Sequence, residues 1–342
     1  MTEENEQERS DILTLHCEGF SLPLSPLLSE KTRKLFQRQA SEKKPANTNV
    51  ETTQSAPPTR EEQREQFYQS KNYQHLISRY KANIELTKIA GVTVEVITPS
   101  DGVSEENFGR VLINFHGGSF QAGSQTLSQS ESIPIATLGK IKVISVDYRM
   151  YPEHRSPAAL DDAQAVYQAL LQDYSPECIG VFGSSSGAQL TAQLIYRLQV
   201  QKLPLPAAVA MIAEAATRLE GDSIAFSSVI YKAQCGLELA DALDMGYFEN
   251  VTPDDPSVYP ALSDESMAAF PPSFLASSTR DICLSPVVAT HRKLVQAGVE
   301  AELQLWEGLD HCFHYNPELP ESEELHRNML AFFERYLPIC TN

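Results

Sequence analysis

The pentapeptide Gly183-Ser184-Ser185-Ser186-Gly187 stands between the apolar run Ile179 to Phe182 and a helical pattern, AQLTAQLIYRL. A chain that passes at once from strand to helix forces the middle residue into a strained conformation, and glycines two positions before and after it remove side chains that would collide. The Ser185 hydroxyl is thereby held clear of its own backbone, at a helix N-terminus that favours developing negative charge. Such a hydroxyl is suited to attack a carbonyl carbon. A small-residue turn without chemistry has the same local pattern; the strand-turn-helix context argues for the nucleophile.

A second glycine turn, His116-Gly117-Gly118-Ser119-Phe120, follows the run VLINF and begins 69 residues before Ser185. Attack on a carbonyl creates an oxyanion, which backbone N–H donors placed in advance stabilise better than water does. Adjacent glycines let a substrate approach such donors closely. An ordinary glycine turn is the plain alternative, but two such turns, each closing a strand, make coincidence the weaker reading.

These turns need a frame, and the pattern from Leu86 onward supplies one. Short β-branched runs (Val92 to Thr98, Val111 to Phe115, Lys142 to Asp147, Ile179 to Phe182, Ala208 to Ile212, Ser273 to Ala276, Ala301 to Trp306) alternate with helical stretches at Ala158 to Leu171, Gly187 to Gln199, Pro286 to Ala297 and Ser322 to Tyr336. This alternation predicts βαβ units and a mostly parallel sheet covered on both faces. Glu214 to Ala269 interrupts it and reads as an insertion over the C-terminal edge of the sheet. Residues 1–85 differ again. A helix is expected to start near Ser25-Pro26, Ser41 to Pro58 is a polar run with three prolines that reads as a linker, and Glu61 to about Ile84 reads as one ragged amphipathic helix.

Composition bounds the function. The 342 residues carry 27 Lys plus Arg against 45 Asp plus Glu, a formal charge of -18, and residues 86–342 alone hold 15 basic and 32 acidic side chains. Nucleic-acid binding needs clustered cations, so no nucleic-acid partner is expected. The six cysteines (17, 178, 235, 283, 312 and 340) lack the spacing of a zinc site and read as free, mostly buried thiols; no metal is expected. The polar N-terminus lacks a signal-peptide pattern and the longest apolar stretch, around Val209 to Ala213, is far too short for a membrane span, so a cytoplasmic location is expected.

Four motifs in order, HGGSF, the DYRMYPEHRSPAALDDA stretch from Asp147, GSSSG and the terminal WEGLDHCF, resemble the hormone-sensitive-lipase-like family of α/β-hydrolase esterases. The likeness spans roughly Val92 to Tyr336. It implies an α/β-hydrolase fold with a mostly parallel eight-stranded sheet flanked by helices and a helical cap, and hydrolysis of carboxylic esters without a cofactor. It also implies the order nucleophile, acid, histidine. Asp281, 96 residues after Ser185, and His311, 30 residues further on, occupy the matching positions after strands. The oxyanion donors carried over are the N–H groups of Gly117, Gly118 and Ser186.

His314, Asp310, Asp254, Asp255 and Asp264 are rivals that fit the pattern less well, and Asp161, Asp162 and His154 read as structural. Ser119 replaces the family's fourth glycine, and Ser184 and Ser186 replace its usual Asp and Ala, which leaves substrate preference open. The expected partner is a small ester of short to medium acyl chain. An amidase, deacetylase or lactonase on the same triad is the nearer alternative, and a non-catalytic small-ligand receptor, which would lack the histidine, the more distant one. The expected organisation is a catalytic domain at 86–342, with a cap assembled from 1–85 and the insertion 214–269. Dimers are frequent in such families, so a homodimer is compatible with the resemblance, although no residue pattern demonstrates it.

Overall fold

The runs that are apolar without alternation become central strands, because a strand covered on both faces has no wet side to mark. In the computed structural model, which describes residues 24–42, 59–227, 246–252 and 254–339, eight strands form one sheet in the order β1-β2-β4-β3-β5-β6-β7-β8. They are β1 (Ala82–Ile89), β2 (Val92–Pro99), β3 (Val111–Phe115), β4 (Lys142–Val146), β5 (Ile179–Ser184), β6 (Ala208–Ile212), β7 (Ser273–Ser278) and β8 (Ala301–Trp306). The pairs β1/β2 and β2/β4 are antiparallel and all others parallel. The α/β-hydrolase expectation holds.

Side chains alternate across the sheet and build two cores. Val111, Ile113, Val181, Met211 and Leu275 point to the face covered by α5 (Ala158–Leu170), α6 (Ser186–Val200) and α8 (Leu284–Gln296). Leu112, Phe182, Ala210 and Phe274 point to the opposite face, under α4 (Leu127–Gly139) and α9 (Pro320–Tyr336). Leu28 and Leu35 of the N-terminal segment, with Leu76 and Tyr80, join this second core. Phe332, 1% exposed, packs on Phe274 with ring centroids 5.6 Å apart, and truncating such a buried ring costs about 3–5 kcal/mol.

Local details differ from expectation for identifiable reasons. The stretch from Glu61 is not one helix: α2 (Arg60–Gln69) and α3 (Lys71–Arg79) break at Ser70, whose hydroxyl accepts from the Tyr73 amide at 3.2 Å, and β1 follows. Strand β1 lies at an edge with Leu86 exposed and turns into β2 through Ala90 and Gly91, both at positive φ, a hairpin without the usual Asn-Gly signal. Helix α4 escapes periodicity analysis because its polar residues Ser128, Gln129 and Glu131 are buried beside Ile133, and Pro134 lies inside it. The first described helix, α1, runs Glu30–Glu42, entered by Ser29, which accepts from Thr32; Ser25 instead donates to Glu307 at 2.9 Å.

Between β6 and β7 the described residues contain no strand, and a short helix, α7 (Asp264–Ala268), precedes β7. Of the expected linker from Ser41 to Pro58, residues 41–42 end α1, and residues 43–58, like Cys17, Cys235 and Cys340, lie outside the described residues. Cys283 and Cys312 are free and buried, as expected, whereas Cys178 is disulfide-bonded. Among the described residues no helix is long and apolar enough to cross a membrane.

Candidate active site

Strand β5 ends at Ser184 and α6 begins at Ser186, so Ser185 alone makes the turn, at φ 52 and ψ -127. The flanking glycines are obligatory. A Cβ on Gly183 would lie 2.4 Å from the Gly187 backbone, and one on Gly187 1.8 Å from the Phe115 carbonyl oxygen. The Ser185 amide donates to the Ile212 carbonyl at 2.8 Å, which pins the strained residue to β6.

Asp281 and His311 reach Ser185 from loops after β7 and β8. Ser278 Oγ donates to the Leu309 carbonyl at 2.6 Å and the Gly308 amide to Thr279 Oγ1 at 2.7 Å, so the two loops are tied together. His311 Nε2 lies 3.0 Å from Ser185 Oγ, and His311 Nδ1 2.7 Å from Asp281 Oδ1. Asp281 is 2% exposed; its carboxylate also accepts from Ser277 Oγ and from the Cys283 amide, each at 2.8 Å. The three residues therefore form one hydrogen-bonded line, and the chemistry it supports is transfer of the serine proton to the imidazole. Burial opposes charge on His311, but its neighbours Cys312, Asp281 and Cys283 outweigh that and raise its pKa well above the ordinary histidine value.

The loop after β3 is held from beneath. Glu131 of α4 accepts from Asn114 Nδ2 at 2.7 Å, from the Gly117 amide at 2.9 Å and from the Tyr315 hydroxyl at 2.7 Å. Burial pushes the Glu131 carboxyl up to about 7 against the pull of these donors. His116 stacks on Tyr148 at 4.2 Å, and the Tyr148 hydroxyl donates to the His116 carbonyl at 2.6 Å. Burial keeps His116 below its ordinary pKa, so it serves as a neutral wall.

One expected donor is thereby corrected. The Gly117 N–H donates to Glu131 at 2.9 Å and so is not free to meet an incoming oxyanion. The amides of Gly118, Ser119 and Ser186 have no hydrogen-bond partner among the described residues, and Gly118 (φ 121) and Ser119 (φ 56) adopt the turn that aims successive N–H groups at one point. Ser119 and Glu131 were missed by motif reading. The Gly118 carbonyl accepts from the Gln121 and Ala122 amides at 2.9 and 3.0 Å.

The rivals are accounted for. His314 Nε2 lies 2.9 Å from Ser184 Oγ rather than beside Ser185, and its burial pushes its pKa well down. Asp162 binds the Arg149 backbone and guanidinium, Asp161 pairs with Arg197, Asp254 with Arg218 and Asp264 with Lys293. Asp255 accepts from the Ser257 amide, and the His154 amide donates to Met150. Asp310 is raised by burial and makes no bond to the imidazole. Glu214, two residues beyond β6, is a further buried carboxyl that motif reading passed over; burial raises it to about 7, and Cys283 and Asp281 are among the groups beside it.

Comparison with known proteins agrees with this fold. The family model described as alpha/beta hydrolase fold matches residues 112–315. An esterase of Acinetobacter venetianus is 28% identical over 72% of this chain and 80% of its own length. An acetyl-hydrolase of Streptomyces hygroscopicus is 30% identical over 62% of this chain and 71% of its own. The crystal structure of an esterase E25 superposes with a TM-score of 0.77 at 31% identity, covering 95% of this chain and 99% of that one. The chain belongs to the α/β-hydrolase fold family. Its resemblance to hormone-sensitive-lipase-like esterases holds beside these findings.

Proposed function

We propose that this protein is a serine carboxylesterase acting on small esters of short to medium acyl chain through an acyl-enzyme on Ser185. The observation that carries the reading is the Asp281–His311–Ser185 line, at 2.7 and 3.0 Å, beside three unpartnered amides. His311 takes the Ser185 proton as the hydroxyl attacks the ester carbonyl, and the oxyanion rests on the N–H groups of Gly118, Ser119 and Ser186. The imidazolium then protonates the leaving alcohol. The same imidazole activates the water that releases the acid. An assembled histidine also counts against a non-catalytic receptor.

The cap is read as residues 1–81 together with 214–269, since residues 82–85, expected with the cap, belong to strand β1 of the sheet. In support, Tyr68 donates to the Gln125 carbonyl at 2.8 Å and Arg60 to the Tyr151 carbonyl at 2.6 Å, so α2 borders the oxyanion loop. Ser223 donates to the Ile282 carbonyl at 2.6 Å, which sets the insertion beside the acid loop. Strong negative charge supports soluble esters over an anionic lipid interface. The expected cytoplasmic location is open to test by cell fractionation, and the Cys178 disulfide is the observation against it. A homodimer rests on the family resemblance, and sedimentation measures it.

The direct test is Ser185→Ala. Turnover of p-nitrophenyl butyrate should vanish while the circular dichroism spectrum is unchanged, and a fluorophosphonate should label the wild type alone. Retained turnover or labelling sinks the assignment. Matched ester, amide and lactone substrates separate the esterase from its relatives in chemistry.

A further inference from the structure

Asp281, Cys283 and His311 converge: a carboxylate oxygen, the Cys283 sulfur and a ring nitrogen of His311 all lie within 4.8 Å of one another. Cys283 is a free thiol, 3% exposed, and the carboxyl of Glu214, 7% exposed, is its electrostatic neighbour. Serine chemistry needs Asp281 and His311 but has no use for the thiol or for Glu214. The three converging side chains offer one sulfur, one nitrogen and one carboxylate, a donor set suited to Zn²⁺ and to its softer analogue Cd²⁺. Tetrahedral zinc, with bonds of about 2.0–2.3 Å, keeps ligand atoms roughly 3.3–3.8 Å apart, so the trio closes on an ion with side-chain movements of about 1 Å.

We propose that Asp281, Cys283 and His311, with Glu214 beside them, form an inhibitory site for a thiophilic divalent cation of the zinc class. The inhibition rests on the reading of His311 as the general base. In the triad the ring keeps its proton on Nδ1, toward Asp281, and leaves Nε2 to accept from Ser185. A cation on Nδ1 moves that proton to Nε2. The ring's charge is unchanged, but the lone pair that faces Ser185 is lost. Coordination also takes the proton from the Cys283 thiol, and Glu214 or solvent receives it. The ion therefore switches the enzyme off without touching the nucleophile.

The test uses the full chain with Zn²⁺ and Cd²⁺ as probes. Both ions should inhibit hydrolysis of p-nitrophenyl butyrate, a chelator should restore it, and Cd²⁺ should produce a near-ultraviolet sulfur-to-metal charge-transfer band. Cys283→Ser should keep basal turnover, lose the band and need roughly 10- to 100-fold more metal for the same inhibition. Cys283→Ala gives the same contrast if serine perturbs the fold, and Cys312→Ser should retain both band and sensitivity. Unchanged sensitivity or an unchanged band in the Cys283 variants overturns the proposal, as does a wild type that shows no band or binds Cd²⁺ without inhibition. Ser185→Ala, silent in turnover, should still show the band, so a failed esterase reading and a failed metal site are told apart.

Discussion

Two buried carboxyl groups stand on either side of the catalytic line, and their surroundings differ. Glu131, under the oxyanion loop, accepts from Asn114, Gly117 and Tyr315, whereas Glu214, on the side of the acid loop, accepts from its neighbour Ala215 at 3.1 Å. Burial raises both to about 7. The first is therefore a clamp, whose removal strands several buried donors; the second is a lightly bonded group whose removal strands almost nothing. The oxyanion half of the site is built for rigidity, and the acid–histidine half retains a donor-rich pocket that catalysis leaves unused.

The comparison can be broken at its largest effect first. Asp281→Asn should lower kcat by about 10⁴ with the fold intact, since the imidazole loses its orienting acceptor. It should also move the acidic limb of the kcat/KM profile downward. In the wild type that limb should lie above the ordinary histidine value, because activity falls as His311, whose pKa is raised, gains a proton. A limb that does not move separates Asp281 from the imidazole.

Next, Glu131→Ala should destabilise the protein by roughly 3–5 kcal/mol in urea unfolding and reduce kcat with it, because three buried donors lose their acceptor. Glu214→Gln should act in the opposite direction. A carboxyl raised from 4.5 to about 7 on folding weakens the native state as pH climbs between those values, since the unfolded chain ionises first. The variant should therefore match the wild type near pH 4 and exceed it by about 2–3 kcal/mol at pH 8 in thermal or urea melts. Equal stability at both pH values removes the contrast between the two carboxyls. The smallest effect belongs to Ser119→Gly, which relieves a positive φ while keeping the amide; activity should persist, with stability changed by about 1 kcal/mol or less.

Legibility from sequence followed the range of the interactions. Central strands such as Val111–Phe115 were readable because burial on both faces imposes an unbroken apolar run, and the Ser185 turn because its glycines are sterically required. The edge strand Ala82–Ile89 and the buried helix Leu127–Gly139 were not, since the first is half wet and the second buries polar residues that satisfy one another across the fold. Asp281 and His311 came from the family resemblance, not from any local rule. Gly117 was misassigned because only Glu131, 14 residues away, decides which amides of that loop stay free.

The order of residues by itself determined the alternating architecture, the strained serine between glycines and the acidic body without a cationic patch, because these are set by steric, periodic and compositional rules acting within a few residues. Only the tertiary structure decided which amides face an oxyanion, which histidine reaches Ser185, and that Cys283 and Glu214 gather beside Asp281. Each depends on distances between side chains far apart in the chain, which folding sets by packing the loops after β7 and β8 against one another.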